Sequence, residues 1–513
     1  MKKRNEKKIG QKNTSNYQLF RNALFNSGGW VLNIAVALAT TPYFVYKLGA
    51  DGYGVFALMT GLIGYYGLLD VGLGQGVTKF VAEYRTQDDQ KALSASINAA
   101  LLVQVSIGIL ASVLLVVFVE QVLGVLNLPD DLYEEARSGI YICSGGFFFQ
   151  MIGNTFASAL KGIQRYDVTA KINVLVRASK NLGIAVALFA GNGLVSAFWL
   201  AASASILSFI SNLVLAWGNI SRWKLTEGVS FKYAKKLFKF SGFLFISKVS
   251  SILHKYVARF VITYFLGPSA VTYFVVPQKV TNAAGGIIGR GFEVVFPYAS
   301  ELQALSDPER IRRLLMRGTH ILASLAFPMF LLIILFAKPL LSYWIDAAFA
   351  EEAWHVLSLL SSSALLGALT TVTNQIAIGL GYTRLKSLFS VSEILVFSVL
   401  VVVLTPWFGV IGTVSAIILM TLTVGYAFVF YFTNRILGVD LFPMIKDAVG
   451  INVIPLIASP LLLLLVNRVL KAKLALLIPT FLILGGGYLA LLVASERIPL
   501  RQLIRFARRP QSK

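Results

Sequence analysis

The sequence predicts an all-α polytopic membrane protein of about fourteen transmembrane helices. Three observations carry this. Apolar residues make up 56% of the chain and charged residues only 14%. Mean hydropathy is +0.72. Apolar runs of about 20 residues, enough to cross a bilayer, recur along the chain without strict two-residue alternation. In hydrocarbon only helices and closed barrels satisfy every backbone N–H and C=O, and runs without alternation choose helices.

Taken in order, the head "MKKRNEKK" is basic and leads through polar residues into a full-length span. Residues 1–24 therefore read as a cytoplasmic segment and not as a cleavable signal peptide. The expected spans are 25–47, 55–80, 95–119, 138–160, 172–190, 195–217, 241–265, 270–297, 318–340, 355–378, 388–406, 410–432, 448–466 and 474–493, each boundary good to a few residues. "LGADGYG", "AGNG", "LGPSA" and "WFGVIG" read as Gly-rich loops at one membrane side. With both termini in the cytoplasm, the inside segments hold 32 Lys and Arg and the outside segments hold 5. That asymmetry follows the positive-inside rule, so the net charge of +22 is mainly a topology signal. No nucleic-acid motif accompanies it. Cys143 is the one cysteine, which excludes an internal disulfide and a cysteine metal cluster.

A repeat runs at one constant offset, the step from Tyr46 to Tyr264. Tyr46, Leu48 and Gly49 match Tyr264, Leu266 and Gly267; Phe56, Gly67 and Glu83 match Phe274, Gly285 and Glu301. Six spans per copy is an even number, so both copies enter the membrane the same way and form a parallel repeat. The expected organisation is an N-lobe over 25–219, a connector over 220–240 with a basic amphipathic segment, and a C-lobe over 241–433. Spans 13 and 14 (434–494) lie outside the repeat, and a basic tail covers 495–513.

With Lys47 and Lys338 counted outside and Lys79 and Arg137 set aside near span ends, seven basic residues remain within spans: Arg177, Lys180, Lys248, Lys255, Arg259, Lys279 and Arg290. Facing lipid, they would cost on the order of 20 kcal/mol together. Lys248, Lys255 and Arg259 are spaced i, i+7, i+11 and fall within about 40° of one another on a helix. Lys279, Arg290 and Glu293 share a stripe, and Arg177 and Lys180 are i, i+3. Two readings stand beside each other. These groups line a wet cavity between lobes, or those near span ends snorkel to headgroups and Arg290 pairs with Glu293. His254 points off the basic stripe and reads as a packed residue. Acids within spans are Asp70, Glu293 and Glu393, so the expected cavity is net positive and suits an anionic ligand.

"LGADGYGVFAL" (48–58), "GLLDVGLGQGVTKFVAEY" (67–84) and "LKGIQRY" (160–166) resemble the polysaccharide transporter family. Its superfamily also holds multidrug and toxic-compound extruders and lipid II flippases. The resemblance covers spans 1–12 and implies a flippase of the O-antigen type. Such a protein moves oligosaccharides linked to undecaprenyl diphosphate across the inner (cytoplasmic) membrane by alternating access, for cell-surface polysaccharide synthesis. Lipid-linked oligosaccharide and membrane lipids are the implied partners, with a polysaccharide polymerase and glycosyltransferases beside it. No cofactor is implied. Asp70 lies where relatives often carry an acid in "DxGLG", as a coupling or a structural group. A lipid II flippase is the near alternative, although the first span lacks that branch's charged motif. A cation or drug antiporter would want the opposite cavity charge. A membrane glycosyltransferase, polymerase or ligase would need an extramembrane domain, and the outside loop 120–136 is too short for one. No nucleotide-binding loop or Gly-x-Ser-x-Gly turn is present.

Overall fold

The computed structural model describes the backbone of residues 2–64, 69, 70, 72–220, 223, 233, 235 and 256–450. It describes the side chains of that set from residue 28 onward, except 444, 445 and 447–449. Lys248, His254 and Lys255 lie outside the described residues, as do most of the connector, nearly all of spans 13 and 14, and the tail 495–513. Every element assigned among the described residues is helical. The chain groups into two compact units, Met1–Thr272 and Tyr273–Lys513.

In the first unit α1 runs over Lys2–Gly64 and breaks direction at Gly49, with φ 70 and ψ 176. The turn expected at Asp51, Gly52 and Gly54 is not there; those residues are helical. A single glycine in the left-handed region is enough to end one helix and start the next, so two spans need no loop between them. Twenty residues from Gly28 cover about 30 Å, the thickness of the hydrocarbon. The span expected over 55–80 is likewise split. α2 (Leu73–Thr86) starts only after a turn in which Gly72 has φ 73. The Asp70 carbonyl accepts from Leu73 N at 2.7 Å and its carboxylate accepts from Gly74 N at 3.2 Å. The carboxylate thereby satisfies one of the amide donors left free at the start of α2.

α3 (Gln90–Val117), α4 (Val119–Val125), α5 (Asp130–Gly162), α6 (Tyr166–Phe189), α7 (Leu194–Asn219) and α8 (Tyr256–Leu266) follow. α9 (Pro268–Gly291) crosses the unit boundary. In the second unit come α10 (Val295–Ala304), α11 (Pro308–Leu335), α12 (Ala337–Trp344), α13 (Ala347–Leu369) and α14 (Thr371–Gly379). α13 and α14 divide the span expected over 355–378. The Thr370 hydroxyl donates to the Gly367 carbonyl at 2.8 Å, a bond that competes with the helix ladder. α15 (Thr383–Met420) bends at Gly409, where "WFGVIG" was expected to be a loop. Two π-helical turns, Thr421–Gly425 and Tyr431–Leu437, flank α16 (Tyr426–Phe430), and α17 covers Leu441–Gly450.

The repeat is written into the backbone. At the same offset as in the sequence, left-handed φ recurs at Gly49 and Gly267 (70 and 84), Asp88 and Ser306 (55 and 52), and Gly191 and Gly409 (84 and 61). Asp89 caps α3 by accepting from Ala92 N at 2.9 Å, and Asp307 caps α11 by accepting from Arg310 N at 3.0 Å. Both ends of α11 lie that same step beyond the ends of α3.

α5 is the pillar of the first unit and packs on α3 and α7. Its glycines Gly139, Gly146 and Gly153 are spaced by seven, one face of a helix. A Cβ at Gly146 would lie 3.0 Å from Ala202 Cα, and one at Gly153 would lie 3.1 Å from Phe209 Cα. Lipid removes most of the hydrophobic drive between helices, so close backbone approach of this kind is what joins them. It also fixes the rotation of α5, and so sends the neighbouring face, with Gln150, Asn154 and Lys161, toward α6.

Candidate functional site

Three helices of the first unit carry polar side chains at helical spacing within apolar sequence. On α5 these are Gln150, Asn154 and Lys161; on α6, Asn173, Arg177 and Lys180; on α7, Ser205, Ser208 and Asn212. Each set obeys an i, i+3/4, i+7 or i+11 rule, so each forms one stripe. The stripes converge on a cavity of about 340 Å³, closed further by Thr60, Ile63 and Gly64 of α1. Among the described residues its wall holds three cations and no carboxylate.

Arg177 is exposed and Lys180 half-buried. Arg177 meets no carboxylate among the described residues. Asn212 is 3% exposed; its Nδ2 donates to the Ser208 carbonyl at 2.7 Å, and its Oδ1 is buried without a partner among the described residues. A buried acceptor left unmade costs about 1–3 kcal/mol, so such a group is suited to a water or a ligand donor. Three donor-only cations with carboxamides and hydroxyls around them can hold an anion with polar hydrogens attached.

Behind this wall lies Asp70, 0% exposed. Its Oδ1 accepts from Gln104 Nε2 at 2.7 Å, from Asn154 Nδ2 at 3.0 Å and from Gly74 N at 3.2 Å. Asp70 thus ties α2, α3 and α5 together.

The other expected site residues are distributed. Arg259, on α8, is half-buried, 5.8 Å from the Tyr256 ring centroid. Its Nη1 lies 3.6 Å from where a Cβ on Gly61 would sit, and its Nε is buried without a partner among the described residues. Lys279 and Arg290 are half-buried on α9, within the second unit. Glu293 is exposed in the turn after α9, and no ion pair joins it to Arg290 among the described residues. Glu393 pairs with Lys386 at 3.3 Å, and the Lys386 ammonium lies 4.9 Å from the Phe428 ring centroid. That acid, embedded in α15, is matched by its own cation. In the segment 120–136 the Tyr133 hydroxyl donates to Glu120 at 3.0 Å, which raises the phenol's pKa. Burial, then the Asp131 charge, raises that of Glu135. These groups have no part in the cavity.

Lys161, in the last turn of α5, also lines the cavity, as do Asn154, Asn173 and Asn212. The signal for them was present: a carboxamide inside an apolar span at helical spacing from a cation. The repeat does not carry the site across. At the constant offset of the repeat, the positions matching Arg177 and Lys180 are Leu395, which is exposed, and Ser398, which is half-buried; neither carries a charge.

Comparison with known proteins agrees with this architecture. Residues 19–303 match the family described as polysaccharide biosynthesis protein. A putative O-antigen transporter of Shigella flexneri is 22% identical over 77% of this chain and 93% of its own length. A probable low-salt glycan biosynthesis flippase, Agl15, of Haloferax volcanii is 24% identical over 78% of this chain and 79% of its own. Among solved structures, the lipid II flippase MurJ in an inward closed conformation superposes with a TM-score of 0.72 at 15% identity, over 94% of this chain and 99% of that one. An inward-facing multidrug resistance MATE transporter gives 0.64 at 14% identity, over 77% and 94%. Seven helices among the described residues are long and apolar enough to cross a membrane. The chain is a multi-pass membrane protein with the all-helical fold of these transporters, and the match over more than half its length places it in the polysaccharide biosynthesis protein family.

Proposed function

We propose that the chain is a flippase for oligosaccharides linked to a polyprenyl diphosphate, and that the cavity of the first unit holds the charged head of that lipid. The observation that carries the reading is the wall of Lys161, Arg177 and Lys180, without a carboxylate among the described residues, inside a membrane-spanning unit. A fixed positive field offsets part of the desolvation of a diphosphate and repels a cationic drug. The carboxamides and hydroxyls beside it suit a sugar. Family membership and the names of the relatives point the same way. The role is transport and not catalysis. The undecaprenyl carrier, the inner membrane, and a polymerase and glycosyltransferases as neighbours in the process belong to this proposal.

Two measurements test it. In proteoliposomes, a fluorescent prenyl-diphosphate oligosaccharide placed in one leaflet is expected to reach the other at a rate that depends on the protein, while a labelled cationic drug is not moved. Drug movement without lipid movement would give the fold an antiporter's role, and lipid II moved in preference would favour that branch. Orientation is read by cysteine labelling in cells, against the buried native Cys143. Asn192→Cys is expected to react with an impermeant maleimide in intact cells and Gln87→Cys only after permeabilisation; both positions are exposed. The reverse pattern would invert the proposed topology.

A further inference from the structure

We propose that Asp70 is a positioning residue for ligand recognition: it holds the NH2 of Asn154 so that the Asn154 carbonyl oxygen faces the cavity as a fixed acceptor for the sugar next to the diphosphate. This rests on the flippase reading above and deepens it.

A carboxamide that donates to a carboxyl oxygen presents its nitrogen to that oxygen and turns its own carbonyl the other way. Asn154 Nδ2 donates to Asp70 Oδ1 at 3.0 Å. The carbonyl oxygen of the same planar group must then point away from Asp70. Asn154 is half-buried on the cavity wall, and its Oδ1 meets no protein donor among the described residues.

The surroundings hold Asp70 for this task. Gln104, 1% exposed, donates its NH2 to Asp70 and leaves its own Oε1 buried without a partner among the described residues. Gly74 clears the space in which the carboxamide meets the acid. A Cβ there would lie 3.0 Å from Asn154 Nδ2 and 2.8 Å from Ser158 Oγ. On the cavity side, Lys161, Arg177 and Lys180 can only donate. Asn154 Oδ1 and the unpartnered Asn212 Oδ1 supply acceptors. A bare diphosphate uses the donors alone. A sugar diphosphate, with hydroxyl or amide hydrogens beside its phosphates, uses both.

The test uses the full-length protein in detergent with two probes, farnesyl diphosphate and farnesyl diphosphate carrying one N-acetylhexosamine. The wild type is expected to bind the sugar-bearing probe more tightly by roughly three- to tenfold, the value of one hydrogen bond. Asp70→Ser, whose side chain is one bond shorter and falls short of Asn154 Nδ2, is expected to bring that ratio close to unity, both probes being read on the same variant. Asp70→Asn keeps an acceptor at Oδ1 and is expected to retain most of the ratio. Asn154→Ala should lose it, and the double variant with Asp70→Ser should lose no more than either alone. Retention of the ratio in Asp70→Ser, equal loss in the Asn and Ser variants, or additive losses would each overturn the proposal. Should Asp70→Ser fail to fold, Asn154→Ala and Asp70→Asn decide it: retention in the first or loss in the second sinks it. A wild type that binds neither probe removes the flippase reading itself. One that binds both equally removes only the positioning role.

Discussion

Alanine at both 177 and 180 is expected to abolish most lipid translocation, a fall of about a hundredfold or more, with the protein still inserted and folded. A hydrogen bond to a charged group contributes about 1.5–3 kcal/mol, which is about tenfold or more for each residue lost. Arg177 is exposed, and nothing among the described residues pairs with its guanidinium, so its removal leaves no orphan in the fold. The unfolding temperature of Arg177→Ala in detergent should therefore hold. Arg177→Lys should fall between wild type and Arg177→Ala, because an ammonium supplies charge without the two-pronged fork. Translocation at the wild-type rate in the double variant would remove the cavity from the mechanism. Equal loss in the Lys and Ala variants would make guanidinium geometry, and not charge, the essential property.

Gly54→Ala is expected to have the largest effect on stability. A Cβ on Gly54 would lie 1.9 Å from the Pro268 carbonyl oxygen and 2.5 Å from its carbon. These are backbone atoms at the start of α9, with no rotamer that could yield. They are also held in place: Ser269 N donates to Asp51 Oδ1 at 3.1 Å, and Thr272 Oγ1 donates to the Ala50 carbonyl at 2.6 Å. The substitution must part these segments or strain them, at a cost of about 3 kcal/mol, the upper end for overpacking. Thermal unfolding in detergent and yield in the membrane both report it. Gly61→Ala is the control, since the nearest atom to its Cβ would be Arg259 Nη1 at 3.6 Å. If both variants melt together, the close approach at Gly54 carries no special weight.

The two predictions fall on opposite sides of what could be read beforehand. Span placement, helical class and the internal repeat come from properties that add along one helix: apolar length, charge and turn glycines. The repeat was legible at Gly49 and Gly267 because only a residue without a Cβ sits easily at those φ values. Arg177 and Lys180 were legible as embedded charges because their cost in lipid depends on depth and not on neighbours. The misreadings were local. Asp51, Gly52 and Gly54 look like a turn by composition, yet one left-handed glycine upstream made the turn and left them helical. Gly54 serves the approach of Pro268 instead.

The site itself is a product of tertiary structure. Whether Asn154, Asn173, Arg177 and Asn212 meet depends on the rotation of three helices about their own axes. That rotation is set where glycines of α5 let α7 come close. Asp70 shows the same division. Its sequence neighbours mark a helix break, while its partners Gln104 and Asn154 lie 34 and 84 residues away. By itself the sequence determined that this chain spans a membrane as a repeat with costly cations inside it, because lipid penalises each exposed polar group separately. Only the tertiary structure decided which of those cations share a wall, and that the first unit holds this wall while Leu395 and Ser398 stand at the matching places of the second, because convergence of side chains depends on packing between helices distant in sequence.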